Sequence, residues 1–215
     1  MNDLFKALNY VSPVALIIGL TVGLYYYKLL RPIYKSIFWY LLIMLFVDIF
    51  SRIYGKLMGT NLIVLLFYSL IELIILTYFY NKFMYSSMHK STVGVAIIGL
   101  LYIICEIFTL HNIKVSQFQS YAKVVDNFIV IILSLVFFHE KINRYRDAKW
   151  TNFGLNMAIL AFFSINMIFF LPINFLLNET AGFSHFFWFG NLFATVLFYL
   201  FLTWSIWKNG RTQRS

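Results

Sequence analysis

Charged residues and cysteine are scarce in this chain of 215 residues. Only 12% of the residues are charged, whereas 61% are hydrophobic. A soluble domain this apolar could not cover its core with polar surface. The single cysteine, Cys105, excludes an intrachain disulfide and a cysteine-based metal cluster. The composition therefore indicates a membrane protein.

The motifs of several catalytic classes are also absent. The sequence contains no Gly-rich phosphate loop, no nucleophile elbow and no cysteine nucleophile. Residues 185–207, the expected seventh helix, contain no lysine, which excludes a retinal Schiff base in that helix. We therefore expect no cofactor, and an enzyme is the less favoured interpretation.

The four histidines are too dispersed for a histidine-rich zinc site, which needs about three convergent ligands. His89 and His139 belong at one end of the expected bundle, and the other two belong at the opposite end. A mixed carboxylate–histidine site at that second end stays open, although the spacing does not support it. Its candidate ligands are Asp48, Glu106, Asp126, His111 and His185. We predict no metal site.

Long apolar runs recur along the whole chain. Runs of roughly 18 or more apolar residues are typical of transmembrane helices, and their continuity disfavours alternating β-barrel strands. We predict one all-α domain over residues 1–215, a bundle of seven transmembrane helices. The predicted spans are residues 12–30, 37–54, 62–80, 92–110, 120–139, 153–176 and 185–207. The first is expected to be a retained helix, not a cleaved signal, that begins at Ser12 and Pro13.

The net charge of +9 comes from basic residues scattered among short connections. This distribution suits topology signals and anionic lipid better than nucleic acid. Twelve of the seventeen basic residues follow predicted spans one, three and five or lie in the tail. They are Lys28, Arg31, Lys35, Lys82, Lys90, Lys141, Arg144, Arg146, Lys149, Lys208, Arg211 and Arg214. The positive-inside rule then predicts an external N-terminus and a cytoplasmic C-terminus.

Ionisable residues interrupt the apolar hairpin of residues 41–80. Asp48 and Arg52 lie late in one run, and Glu72 lies in the middle of the next. Each such group costs roughly 2.5–3.5 kcal/mol on insertion scales, so it usually has a partner or a function. With the predicted orientation, these and later polar residues line a cavity that opens away from the cytoplasm. The candidate ligand-binding residues are Asp48, Arg52, Tyr68, Glu72, Glu106, Asp126, Asn166, Trp188 and Asn191.

Helical spacing predicts which of these side chains meet. Asp48 and Arg52 are four residues apart and can form an ion pair. The Tyr68 hydroxyl is one turn from Glu72 and can donate a hydrogen bond to that carboxylate. No basic residue on the helix of Glu72 lies within its reach, so this carboxylate is the first that we would mutate.

Lys123 lies one turn before Asp126 in the fifth span. The predicted helices contain four acids, Asp48, Glu72, Glu106 and Asp126, and two nearby bases, Arg52 and Lys123. If all six groups were ionised, their net charge would be −2. At least one carboxylate should then bind a cation or hold a proton. The alternative is that these groups form internal ion pairs and hydrogen bonds that only specify helix packing.

A weak internal repeat relates the polar residues of different spans. VDIFSR at 47–52 is similar to CEIFTL at 105–110, and INMIFF at 165–170 can be placed beside them. The pattern suggests one helix followed by three helical hairpins. The corresponding polar pairs are Asp48/Glu72, Glu106/Asp126 and Asn166/Asn191. Chance similarity among apolar helices is the alternative.

Small residues form a stripe on the first span. Ala15, Gly19 and Gly23 are spaced four residues apart, a pattern that lets another helix approach closely. The stripe predicts either packing against a helix of the same chain, the favoured alternative, or a homodimer through this face.

Several phrases of the sequence are similar to those of a known family. FYSLIELIILTYFY, DNFIVIILSLVFFHEK, WTNFGLNMAILAFFS and FYLFLTWSIWK resemble an uncharacterised family of short seven-helix bacterial inner-membrane proteins, loosely associated with histidine-kinase signalling. The resemblance implies seven helices, a multi-pass protein of the inner (cytoplasmic) membrane and a signalling context. It implies no catalytic residues.

The leading functional hypothesis is a membrane sensor or accessory protein. A small polar or cationic ligand, or an external partner, would engage the outward cavity, and a membrane signalling partner would receive the signal. The first alternative is a small proton- or cation-coupled transporter built from two-helix repeats. The second is a membrane-embedded lipid-modifying enzyme that uses paired acids.

Overall fold

The structure is a computed structural model that describes residues 2–110, 120–143, 152–176 and 183–214, with side chains for 10–109, 120–143, 152–172 and 186–214. These residues form seven α-helices and no strand. The helices are α1 (Asn2–Tyr26), α2 (Pro32–Met58), α3 (Leu62–Phe79), α4 (Lys90–Leu110), α5 (Ala122–Asn143), α6 (Phe153–Leu176) and α7 (Phe183–Arg214). A π-helical turn, Tyr80–Met84, extends α3. The predicted all-α bundle is confirmed.

Six helices, α2 to α7, are long and apolar enough to cross a membrane, and α1 contributes a shorter apolar stretch, Tyr10–Tyr26. Large apolar side chains cover the outside of the bundle. Examples that are at least 66% exposed are Phe46, Ile98, Phe108 and Ile168. Such an apolar surface is unfavourable in water and favourable in contact with the hydrocarbon of a bilayer. The chain is a multi-pass membrane protein.

The helices surround a buried core, and each contacts its neighbours in the sequence. The most extensive contact joins α1 to α7, and the least extensive contact between sequential helices joins α2 to α3. The turn at residues 59–61 marks one end of the bundle, which we call the hairpin end. The opposite end carries residues 27–31 and 85–89 and the C-terminal part of α7; we call it the basic end. By the positive-inside rule, the basic end is the expected cytoplasmic side.

The start of α1 differs from the sequence prediction. The helix already begins at Asn2 and continues through Pro13, whereas Ser12 and Pro13 were predicted to begin it. Proline removes one intrahelical hydrogen bond and disfavours a helix interior. The other hydrogen bonds of α1 and its extensive contact with α7 keep the helix continuous through Pro13. The N-cap prediction is therefore wrong.

The small-residue stripe of α1 is covered within the chain. Ala15 is buried, and a Cβ atom on Gly19 would lie 2.6 Å from Thr203 Oγ1 of α7. A Cβ atom on Gly23 would lie 2.4 Å from Phe38 Cδ2 of α2. The two glycines allow this close helix packing. The stripe packs within the chain, as the favoured alternative expects, and the homodimer through Ala15, Gly19 and Gly23 stays a prediction.

The end of α7 also differs from the prediction. The span was expected to end at residue 207 before a short tail, but α7 continues to Arg214. Gly210 packs directly against Tyr26, since a Cβ atom on this glycine would lie 2.4 Å from Tyr26 Cγ. The backbone N–H of Arg31 donates to Asn209 Oδ1 at 3.2 Å. These contacts with the end of α1 and the α1–α2 connection stabilise the last turns of α7.

Candidate functional site

A polar cavity of about 220 Å³ lies in the half of the bundle toward the hairpin end. It extends from Asn61, beside the α2–α3 turn, inward to Lys123 and Tyr199. Five of the nine predicted ligand-binding residues line it: Asp48, Tyr68, Asn166, Trp188 and Asn191. They come from α2, α3, α6 and α7. The structure therefore brings together residues that are up to 143 positions apart in the sequence.

A buried ion cluster closes the inner end of this cavity. The Lys123 ammonium donates to Glu72 Oε2 and, at 2.5 Å, to Asp126 Oδ2. Lys123 is 3% exposed, and both carboxylates are fully buried. Lys123 Nζ also lies 4.7 Å from the centre of the Tyr68 ring, a cation–π distance. One lysine of α5 thus joins α3 and α5 through two acids.

Two tyrosines complete the environment of Glu72. The Tyr40 hydroxyl donates to Glu72 Oε1 at 2.6 Å, and the Tyr68 hydroxyl donates to the same oxygen at 3.0 Å. Tyr40 comes from α2, so the carboxylate connects three helices. The predicted Tyr68–Glu72 hydrogen bond is confirmed. Phenol donors and an ammonium group stabilise the ionised form of a buried carboxylate.

The cluster has an unequal number of acids and bases. With Glu72, Asp126 and Lys123 all ionised, it carries a net charge of −1. The second oxygen of Asp126, Oδ1, is buried and has no hydrogen-bond partner among the described residues. A proton or a bound cation would neutralise this excess, since an isolated buried charge is costly.

Asp48 and Arg52 form the predicted ion pair at the side of the cavity. Arg52 Nε donates to Asp48 Oδ2 at 2.7 Å, and Nη2 donates to Oδ1 at 3.1 Å. Both side chains are partly exposed, at 24% for Asp48 and 36% for Arg52. The Asp48 carboxylate is therefore paired, but it remains accessible from the cavity.

Two cavity asparagines have acceptors without partners. Asn166 Oδ1 and Asn191 Oδ1 are buried and accept no hydrogen bond from any described residue. Both side chains line the cavity. Buried polar atoms are usually satisfied, so these two oxygens are positioned to accept from a molecule in the cavity.

Glu106 does not belong to this site. Its Oε1 accepts the backbone N–H of Tyr121 at 2.7 Å, just before α5 begins at Ala122. The carboxylate therefore fixes the start of α5 against the end of α4. Glu106 was predicted as a ligand-binding residue, but it does not line the cavity and its side chain contacts the α5 start.

The observed contacts of the acids do not follow the repeat. Asp48 pairs with Arg52 on the same helix, whereas Glu72 of the first predicted hairpin meets Asp126 of the second through Lys123. Asn166 and Asn191, one of the three polar pairs of the repeat, line the same cavity. Helix rotation, set by packing and not by sequence spacing, decides these contacts.

The mixed carboxylate–histidine site lacks convergent acids, because Asp48, Glu106 and Asp126 each have different partners. No group of three metal-ligating side chains occurs in the described part of the chain. His111 and the side chain of His185 lie outside the described residues.

Sequence reasoning missed Tyr40 and the contact between Lys123 and Glu72. A usable signal exists for Tyr40, since Tyr40, Met44 and Asp48 are spaced by four and share one face of α2. The contact between Lys123 and Glu72 has no local sequence signal, because the two residues are 51 positions apart and lie on different helices.

A second polar cluster near the basic end was also missed. The Tyr80 hydroxyl donates to Asn156 Oδ1 at 2.7 Å and lies 2.5 Å from Ser134 Oγ. Nearer the surface, Glu140 accepts the Ser86 N–H at 3.0 Å and lies 3.2 Å from His89 Nε2. These groups are mostly neutral and satisfied by one another, which indicates a structural role.

Tyr85 belongs to the same end of the bundle, in the connection between α3 and α4. Burial and the nearby Glu140 carboxylate raise the pKa of Tyr85 above its ordinary value. Its phenol therefore stays neutral and donates to the carbonyl of Leu133 at 2.8 Å. This bond fixes the connection to α5.

The chain was compared with protein-family models, curated proteins and solved structures, and none of them matches.

Proposed function

We propose that this protein is a membrane sensor or accessory protein that binds a small polar or cationic ligand in the cavity at the hairpin end. The observation that carries the proposal is the convergence of Asp48, Asn166 and Asn191 on one cavity, with two asparagine acceptors unpartnered. Carboxylate and amide oxygens favour a ligand that donates hydrogen bonds, such as an ammonium compound. With the expected orientation, the ligand would enter from the side opposite the cytoplasm.

The size of the cavity supports a small ligand. Its volume of about 220 Å³ lies below the roughly 300–1,000 Å³ of sites for drug-sized molecules. Trp188 supplies one apolar wall, which suits the hydrocarbon part of an organic cation. A small amine or amino acid fits these constraints better than a peptide.

The buried ion cluster offers a way to transmit binding. Lys123 and Tyr68 line the cavity and also contact Glu72, which Tyr40 binds from α2. A ligand that draws Lys123 or Tyr68 toward the cavity would weaken their contacts with Glu72. The signal would then reach a membrane signalling partner through the basic end, in keeping with the resemblance to proteins associated with histidine kinases.

The transporter alternative needs a polar route from the cluster to the basic end. A second cavity lies on that side of Glu72, but its lining is almost entirely apolar, which supports binding ahead of transport. Uptake of labelled amine into proteoliposomes under a proton gradient separates the two. The lipid-enzyme alternative needs two carboxylates within reach of a substrate, whereas Glu72 and Asp126 are fully buried.

The test is a stability screen of the purified protein in lipid nanodiscs with small amines, amino acids, Na⁺ and K⁺ as probes. A probe at 100 times its Kd stabilises the folded protein by about 2.7 kcal/mol, which is measured as a raised melting temperature. Asn191→Leu removes an unpartnered acceptor and should abolish the stabilisation by the best probe.

Glu106→Gln is the matched control, because it changes an intramembrane carboxylate that does not line the cavity. It should bind the probe as the unmodified protein does. The proposal is wrong if no probe stabilises the protein, or if Asn191→Leu and Glu72→Gln both bind with unchanged affinity.

A further inference from the structure

An apolar groove of about 380 Å³ lies between α2 and α3, in the half of the bundle toward the basic end. Its walls are Ile37, Trp39 and Ile43 of α2 and Ile74, Ile75 and Tyr78 of α3. Leu155 and Ile159 of α6 and Phe198 and Leu202 of α7 form its floor. The groove exists because α2 and α3 have the least extensive contact of any two sequential helices.

The groove faces the hydrocarbon layer and not water. It lies within the apolar spans of α2 and α3, and Trp39, Ile74 and Tyr78 on its rim are about half exposed. From Ser36 to Ile43 it extends about 10 Å along α2, at 1.5 Å per residue. A groove at this depth is open to lipid, so its occupant must be apolar over that length.

Basic residues lie at the end of the groove nearest the basic end. Lys35 precedes the lining residue Ser36, and its Nζ lies 5.4 Å from the centre of the Tyr27 ring. Lys82 lies one turn beyond Tyr78, with Nζ 5.7 Å from that ring. Neither lysine forms a salt bridge with a carboxylate of the described residues. An anionic headgroup at this level would meet two available positive charges.

We propose that the groove between α2 and α3 binds one acyl chain of an anionic phospholipid, whose headgroup is held by Lys35 and Lys82. The volume falls within the range of small-molecule sites, and the lining excludes a polar occupant. The charge pair selects an anionic over a zwitterionic lipid. The site is separate from the polar cavity and does not depend on the function proposed for it.

Tyr40 connects the groove to the buried ion cluster at the inner end of the polar cavity. Tyr40 lines the groove, and its hydroxyl donates to Glu72 at 2.6 Å. A lipid chain against the Tyr40 ring therefore packs behind the ion cluster. Occupancy of the groove would hold α2 and α3 at the separation that this hydrogen bond requires.

Native mass spectrometry tests the proposal on the delipidated full chain, titrated with phosphatidylglycerol or phosphatidylcholine of identical acyl chains. Each lysine near the membrane surface contributes about a fivefold gain in affinity for an anionic headgroup. With two lysines, the protein should bind one phosphatidylglycerol about 25-fold more tightly than one phosphatidylcholine. Lys35→Gln with Lys82→Gln should remove this preference. Lys141→Gln, which changes a lysine of α5 that does not border the groove, should retain it.

Ile75→Trp should fill the groove and abolish the tightly bound lipid, whereas Ile98→Trp on the outer face of α4 should not. A phosphatidylglycerol with a photoreactive acyl chain gives a readout that needs no substitution, and its crosslinks should map to lining residues of α2 and α3. Equal affinity for the two lipids, or crosslinks spread evenly over the outer surface, would overturn the proposal.

Discussion

The two halves of the bundle on either side of Glu72 are stabilised in different ways. The half toward the hairpin end contains a polar cavity that is surrounded by an ion pair, a buried ion cluster and two asparagines whose side-chain oxygens have no partner among the described residues. The half toward the basic end contains an apolar groove, close helix packing at Gly23 and a neutral Tyr80–Ser134–Asn156 network. The difference places the buried ion cluster and the Asp48–Arg52 pair beside the polar cavity, where the proposed ligand would meet them, and leaves an apolar groove and a neutral hydrogen-bond network toward the basic end.

The largest effect on stability is expected from Lys123→Met. This change leaves Glu72 and Asp126 buried without a cation, which costs roughly 3–5 kcal/mol. The free energy of unfolding, measured by SDS titration in mixed micelles, should fall by that amount. If stability is unchanged, the charged half does not depend on this cluster, and the contrast between the halves fails.

A triple variant provides the control for that experiment. Lys123→Met combined with Glu72→Gln and Asp126→Asn removes the whole set of charges, so that no uncompensated buried charge remains. The triple variant should therefore recover most of the lost stability. A triple variant as unstable as Lys123→Met alone would point to lost packing and not to uncompensated charge.

An intermediate effect is expected from Gly23→Ala in the packed half. The added Cβ would lie 2.4 Å from Phe38 Cδ2, and overpacking of this kind costs roughly 1–3 kcal/mol. Gly94→Ala on α4 is the matched control, because nothing lies within 4 Å of its added Cβ. It should stabilise the protein by about 0.5–1 kcal/mol. Equal effects at the two positions in the same SDS titration would contradict the close packing of α1 on α2.

The smallest effect is expected from Asp48→Asn. Its ion pair with Arg52 is partly exposed, and such pairs typically contribute about 0.2–1 kcal/mol. Stability should therefore change little, while affinity for a cationic probe falls. If Asp48→Asn lowered the free energy of unfolding as much as Lys123→Met does, the main role of Asp48 would be to stabilise the fold and not to bind a ligand.

Sequence spacing was sufficient for contacts within one helix. The Asp48–Arg52, Tyr68–Glu72 and Lys123–Asp126 contacts were all predicted, because residues three or four apart on a helix are neighbours whatever the tertiary fold. Apolar length likewise predicted seven spans, and six of the corresponding helices are long and apolar enough to cross a membrane. These features follow from short-range geometry alone.

Contacts between helices could not be predicted in this way. The rotation of each helix about its axis brings Lys123 to Glu72 and directs Glu106 toward the α5 start, and this rotation depends on the packing of all seven helices. The ends of α1 and α7 were also misjudged. Polar residues at 208–214 remain helical because they pack on Tyr26 and Arg31, a tertiary effect that overrides local polarity.

The length of α7 has a mechanical consequence. Its 32 residues extend about 48 Å at 1.5 Å per residue, against a hydrocarbon layer of about 30 Å. Asn191 in the cavity wall and Arg214 beyond the basic end are thus parts of one continuous rod. Arg214 lies about 35 Å from Asn191 at 1.5 Å per residue, so a tilt of about 5° at Asn191 would move the far tip by about 3 Å, as a lever does. Under the proposed function, a ligand-induced tilt of α7 would therefore displace the basic end directly.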